Sequence, residues 1–234
     1  MPSIIKKAIY SPIFMLSSTD APRIRRAYEK AMDKSSKFFE IRWVLNRPKV
    51  YIMANRETMK ALRERKVADW IGGWTDENAI YILNVNKCKL TKKVKARVLR
   101  EGYLSDLTHE IAHLFFLKVA KTHDTNPIWL WEGVSRYLDG HTKPSKDKEI
   151  ARFHPSKFED FLEYYDRHKL PGKENEAGVY RESGFVVEFL VKNYGKEKLL
   201  RLIRSIKDAG NEAAFAKKFK NIYGFELNYN NFNR

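Results

Sequence analysis

The chain has 234 residues, with 45 Lys+Arg against 29 Asp+Glu for a formal charge of +16; apolar residues make up 43% and aromatics 13%, enough for a real core and too many for a disordered chain. The single cysteine, Cys88, excludes an intrachain disulfide framework and a cysteine-built zinc finger and fits a reducing compartment. No apolar run reaches the roughly 18 residues of a bilayer span. Ser11-Pro12 cuts the apolar stretch that follows Lys6 and Lys7, so a cytoplasmic protein is expected, with secretion left open.

Thr19 or Asp20 caps an expected helix that runs to about residue 39, with Pro22 in its first turn. Residues 50–54 read as a strand, 56–66 as a polar helix, Gly72-Gly73 as a turn and 79–85 as a second, strongly apolar strand. A long helix capped by Thr91 is expected to reach about residue 120, with Leu104, Leu107, Ile111, Leu114 and Phe115 as its core stripe. Asn126-Pro127 opens the next helix and Gly140 closes it. Ser156 caps another to about 167, a loop follows at Pro171-Gly172, and 183–193, 196–208 and 211–222 read as three more helices. No repeat, low-complexity tract or Gly/Ser linker divides the chain. Strands early and helices late imply an α+β fold with segregated layers: a small N-terminal sheet with helices, then a helical C-terminal lobe. One domain is expected, with lobes of about 1–120 and 121–234.

The charge is uneven. Residues 1–100 carry 23 basic and 9 acidic side chains, a net of +14, while 101–234 carry 22 and 20, a net of +2. The stretch 87–100 holds Lys87, Lys89, Lys92, Lys93, Lys95, Arg97 and Arg100 and no acid. It is either a solvated face or the footprint of an anionic partner such as nucleic acid, an acidic protein or an anionic membrane. No nucleic-acid motif accompanies it.

The long helix contains His109-Glu110-Ile111-Ala112-His113. Residues i and i+4 lie one above the other on a helix face, so both imidazoles can reach one ion at about 2.0–2.1 Å. Glu110 is one step round the helix, where its carboxylate can meet a water on that ion. Such a pattern arises by chance in roughly 1% of chains of this size, the bland alternative being two polar residues on a helix edge. Two further features support the metal reading. Glu132, nineteen positions after His113 in Trp129-Leu130-Trp131-Glu132-Gly133-Val134-Ser135, can supply the third ligand of a catalytic zinc site. Gly133 inside a helix costs about 1 kcal/mol relative to Ala, which suggests a close helix-on-helix approach.

On these residues the sequence resembles the gluzincin metallopeptidases, the thermolysin-like zincins. More narrowly, it looks like the minimal peptidase-MA-like group related to the catalytic domain of aminopeptidase N and leukotriene A4 hydrolase. The likeness extends from about Val50 to Phe225 and implies a zincin-like fold, one Zn2+ held by His109, His113 and Glu132, and Glu110 as general base. It also implies that 79–85 is the edge strand over the cleft. The family's downstream catalytic tyrosine matches Tyr180, although Tyr180-Arg181-Glu182-Ser183-Gly184 has one residue more before its glycine than the family's pattern. The flanking domains of the large aminopeptidases have no counterpart here. The glycine-then-Met-Glu-Asn motif that grips a free amino terminus is also missing; Gly73 to Asn78 echoes it with the wrong spacing and no methionine.

The expected chemistry is hydrolysis of peptide bonds in a peptide or protein substrate. Tyr180 is the first choice for stabilising the oxyanion, with His154 and His141 behind it. Asp139 and Asp106 are candidates for orienting a ligating imidazole. Trp70, Trp74, Trp129, Trp131 and Phe185 receive no role, since most such aromatics are core. An endopeptidase is the leading expectation. The alternatives are an aminopeptidase of the same family, a catalytically silent zinc-binding module with a basic anion-binding face, and a basic nucleic-acid-binding protein with an accidental motif.

Overall fold

A computed structural model describes residues 6–7, 13–15, 21–63, 72–84, 103–123, 127–142, 173–228 and 231–232. The expected helix at 156–167, the first part of the long helix, the basic stretch 87–100, Trp70 and His154 lie outside the described residues. The chain divides into two compact units, Met1–Leu114 and Phe115–Arg234. The architecture is α+β, as expected, and predominantly helical.

In the first unit, β1 (Lys6–Lys7), β2 (Ile13–Met15), β3 (Lys49–Met53), β4 (Gly73–Asp76) and β5 (Ala79–Leu83) form a sheet of order β1-β2-β3-β5-β4. β2, β3 and β5 run parallel, while β1 and β4 pair antiparallel at the two margins. β5 therefore lies inside the sheet, and the edge expected of 79–85 is formed by β4 instead, because Gly73–Asp76 pairs along its outer side. Period-2 alternation puts Val50, Ile52, Ile80 and Ile82 on one buried face. On the other face Tyr51 stacks on Tyr81 at 5.0 Å and Tyr81 on Trp74 at 4.6 Å. Beside them Met53 and Leu83 meet Met59 in a small apolar cluster. Met59 belongs to α2 (Arg56–Arg63), where Asn55 Oδ1 caps the helix by accepting from Thr58 N–H at 2.8 Å.

Helix α1 (Ala21–Phe39) follows β2 and buries Ile24, Tyr28, Ala31, Met32, Ser35 and Phe39 at helical spacing. The Tyr28 hydroxyl donates to the Pro48 carbonyl at 2.9 Å, tying the helix to the start of β3. Burial pushes this phenol up to about 12, although the Arg47 guanidinium beside it acts the other way. Helix α3 (Leu104–Ala120) carries most of the expected stripe: Leu107, Ile111, Leu114 and Phe115 are all buried, while Leu104, in its first turn, is half-buried.

The second unit contains α4 (Ile128–Asp139), α5 (Lys173–Tyr194), α6 (Lys196–Arg204), a 3-10 turn (Ile206–Asp208) and α7 (Glu212–Tyr223). α4 starts differently from the sequence expectation. Pro127 is its N-cap, without a side-chain cap, while Gly140 closes it in the left-handed region at φ 85° as expected. α5 begins ten residues before the expected Ser183, because Lys173 to Glu182 are mostly good helix formers with no apolar stripe to announce them. The single helix expected over 196–208 breaks at Ser205, whose hydroxyl donates to the Leu202 carbonyl at 2.7 Å. Asn211 caps α7 by accepting from Ala214 N–H at 2.9 Å. An aromatic cluster of Phe189, Tyr194, Phe219, Tyr223, Phe225 and Phe232 closes this unit. No helix among the described residues is long and apolar enough to cross a membrane.

Candidate metal centre

Helical periodicity stacks His109 and His113 on one face of α3, with ring centroids 4.6 Å apart at an interplanar angle of 85°. Their Nε2 atoms lie 3.1 Å from each other. Two nitrogens bound at about 2.0–2.1 Å to one tetrahedral ion sit about 3.3 Å apart, so this spacing fits two imidazoles turned towards a shared cation. Glu132, on the second turn of α4, completes the group: one ligand atom from each of His109, His113 and Glu132 lies within 4.8 Å of the other two. Among the described residues this is the one such convergence of His, Cys, Asp or Glu side chains.

Burial strengthens the case for a cation. His113 and Glu132 are only 3% and 6% exposed. A buried carboxylate facing two imidazoles is costly unless a positive charge compensates it. Two nitrogens and one carboxylate oxygen are also the donor set of a borderline divalent ion that keeps an open position. The residues present therefore fit a metal.

Glu110 follows His109 and is 8% exposed. Strand β4 runs against it: a Cβ placed on Gly73 would lie 3.3 Å from Glu110 Oε1, 2.6 Å from the Tyr81 carbonyl oxygen and 2.9 Å from Ile82 Cγ2. Only a residue without a side chain permits this approach. Reading Gly72-Gly73 as a turn missed both the strand and this role; a glycine entering a strand is the signal that marks it. At Gly133 the expected close helix approach is present, since a Cβ there would meet the Ser183 carbonyl oxygen at 2.5 Å and Val187 Cγ2 at 2.7 Å. α4 and α5 thus touch backbone to backbone immediately after Glu132.

Asp139 accepts from the His141 backbone N–H at 2.9 Å, has His141 Nδ1 at 2.8 Å and Arg136 Nη1 at 3.5 Å, so its carboxylate orients His141 at the end of α4. Tyr180 lies on α5, with its side chain outside the described residues. Trp129 is core, against Phe215 at 6.4 Å, and Trp74 belongs to the aromatic stack on the sheet.

The family model of the Peptidase MA superfamily matches residues 46–233. The chain belongs to the Peptidase MA superfamily. The match spans β3 to the C-terminal helices, and with them all three converging residues. Membership in this zincin-like superfamily gives the chain a function of metallopeptidase type, with peptides as its substrates. Neither a curated protein nor a solved structure matches the chain.

Proposed function

We propose that this Peptidase MA member is a zinc endopeptidase in which His109, His113 and Glu132 hold one Zn2+ and Glu110 moves the proton. The observation that carries the reading is the convergence of three buried or half-buried donor atoms within 4.8 Å of one another, with Glu110 next in sequence to His109. When bound, zinc supplies Lewis acidity: it makes water acidic enough to lose a proton near neutral pH and polarises a peptide carbonyl. Glu110 accepts the proton of the attacking water and passes it to the leaving amine. Its place against Gly73 supports this, because a carboxylate confined by backbone has few alternative positions. A donor to the developing oxyanion is still required, and Tyr180 is proposed for it on the resemblance of its sequence context.

The relation to the aminopeptidase N and leukotriene A4 hydrolase group rests on the Glu132 spacing and the Trp129 to Ser135 segment. The departure at Gly73 to Asn78 from the motif that grips an amino terminus favours internal cleavage. The test is digestion of a peptide library, with free and blocked amino termini, by the zinc-loaded protein and its Glu110→Gln variant. Internal cuts in both sets, absent from the variant, are expected. Cleavage by the variant at the native rate contradicts the assignment of Glu110, and cuts confined to free amino termini make the chain an aminopeptidase.

A further inference from the structure

Three large apolar side chains are notably exposed among the described residues: Val44 (57%), Leu45 (80%) and Leu62 (48%). Single exposed apolar residues need no explanation. Val44 and Leu45, however, are consecutive, follow half-buried Trp43, and sit on the irregular loop 41–48 between α1 and β3.

The loop is built to keep that shape. The Trp43 indole N–H donates to the Leu45 carbonyl at 2.9 Å, and Asn78 Nδ2–H donates to the Asn46 carbonyl at 2.7 Å. The Tyr28 hydroxyl takes the Pro48 carbonyl, and the Ser36 hydroxyl donates to the Ile41 carbonyl at 2.6 Å. Asn46 adopts φ 51°, and Arg47 pairs with Glu29 at 2.8 Å. Carbonyls already partnered inside the protein lose little when water is withdrawn, and a preorganised loop loses little entropy on docking.

The exposed charge nearby is mostly basic, although Glu40, which precedes the loop, and Asp76 and Glu77, next to the Asn78 that bonds Asn46, are exposed acids. Arg42 and Lys49 are exposed beside the tip, and Arg23, Arg25, Arg26, Lys30, Lys34 and Lys37 are exposed along α1. Of the acids on that helix, Glu29 is engaged by Arg47 and Asp33 by Lys37 at 2.7 Å.

We propose that loop 41–48 is a membrane-contacting wedge: Trp43, Val44 and Leu45 enter the interface of an anionic bilayer while Arg42, Lys49 and the basic face of α1 meet lipid phosphates. A lipid interface offers apolar depth and negative charge in one layer, whereas a nucleic acid offers phosphates but no apolar phase for Val44 and Leu45. The wedge would bring a peptidase to substrates at a membrane surface.

The test is flotation of the full chain with phosphatidylcholine vesicles, with and without phosphatidylserine, alongside a duplex oligonucleotide of matched charge. Expected are binding to the anionic vesicles alone, weakening with added salt, and a blue shift of tryptophan emission that Trp43→Phe removes. Val44→Asp/Leu45→Asp should lower the partition coefficient at least about tenfold, with peptide cleavage and the thermal melt unchanged. Val44→Ser/Leu45→Ser serves as a milder pair should the first disturb folding. Arg42→Gln/Lys49→Gln should weaken binding and flatten its salt dependence. Vesicle binding that survives loss of both apolar side chains overturns the wedge, as does absence of binding to anionic vesicles. Retention on the oligonucleotide alone assigns the basic face to nucleic acid and also overturns it.

Discussion

Replacing Gly133 by Ala tests whether the backbone contact beside Glu132 is obligatory. On helix propensity alone the substitution stabilises α4 by about 1 kcal/mol. Sterically it does the opposite. The new Cβ would lie 2.5 Å from the Ser183 carbonyl oxygen, roughly 0.9 Å short of ordinary contact at 3.4 Å, and 2.7 Å from Val187 Cγ2. Neither neighbour yields easily: Ser183 contributes backbone, and both it and Val187 are fully buried, with Val held to one rotamer in a helix. Overpacking costs about 1–3 kcal/mol where side chains can adjust and more where backbone must move, so about 2–4 kcal/mol is assigned to this contact. Net of propensity, a loss of about 1–3 kcal/mol is expected, which for a chain of this size lowers the melting temperature by roughly 3–10 °C. Chemical denaturation followed by far-UV circular dichroism measures it, and metal retention after dialysis against a chelator reports whether Glu132 moves with α4. A Gly133→Ala protein as stable as the native one, or more stable by the propensity gain, would refute the tight-crossing argument.

Gly73→Ala should reduce peptide cleavage while leaving metal content intact, because the clash with the Tyr81 carbonyl and Ile82 displaces β4 and crowds Glu110; native turnover in this variant would remove β4 from the site. Tyr28 holds its proton in the folded state up to about pH 12, whereas an unfolded tyrosine releases it near 10. The folded state therefore binds more protons between those values, and this contribution, fully present below pH 10, fades as pH rises through the window. Tyr28→Phe should lose about 1 kcal/mol at neutral pH through the Pro48 carbonyl and decline less steeply than native above pH 10, as stability measured across that range will show. Asn211→Ala should cost about 1 kcal/mol by removing the α7 cap, and an unchanged denaturation midpoint would contradict that.

The legible parts of this chain are those whose signals are local. Leu107, Ile111, Leu114 and Phe115 repeat at helical spacing, so α3 and the stacking of His109 over His113 follow from residue order. Gly140 and Asn211 mark helix ends because their chemistry suits the left-handed and N-cap positions. What escaped depends on partners distant in sequence. β1 and β2 are two and three residues long and exist through pairing, β2 with β3 some 37 residues away. β4 opens with a glycine that reads as a turn until β5 is seen to accept it as a neighbour. The first half of α5 is a polar helix with no apolar period, so pattern reading starts it late. The distance between Glu132 and the histidines was legible only through the resemblance, since a separation of nineteen positions fixes no geometry by itself; the structure supplies the convergence.

The central claim is that His109, His113 and Glu132 together hold one divalent ion. Metal-to-protein stoichiometry of the purified chain after dialysis against a graded chelator tests it most directly, with Glu132→Ala, His113→Ala and Glu110→Gln run in parallel. One equivalent of zinc is predicted in the native chain and in Glu110→Gln, with retention weakened more than about 100-fold when either ligand is removed. A Glu132→Ala protein that keeps a full equivalent as tightly as the native chain would contradict the account.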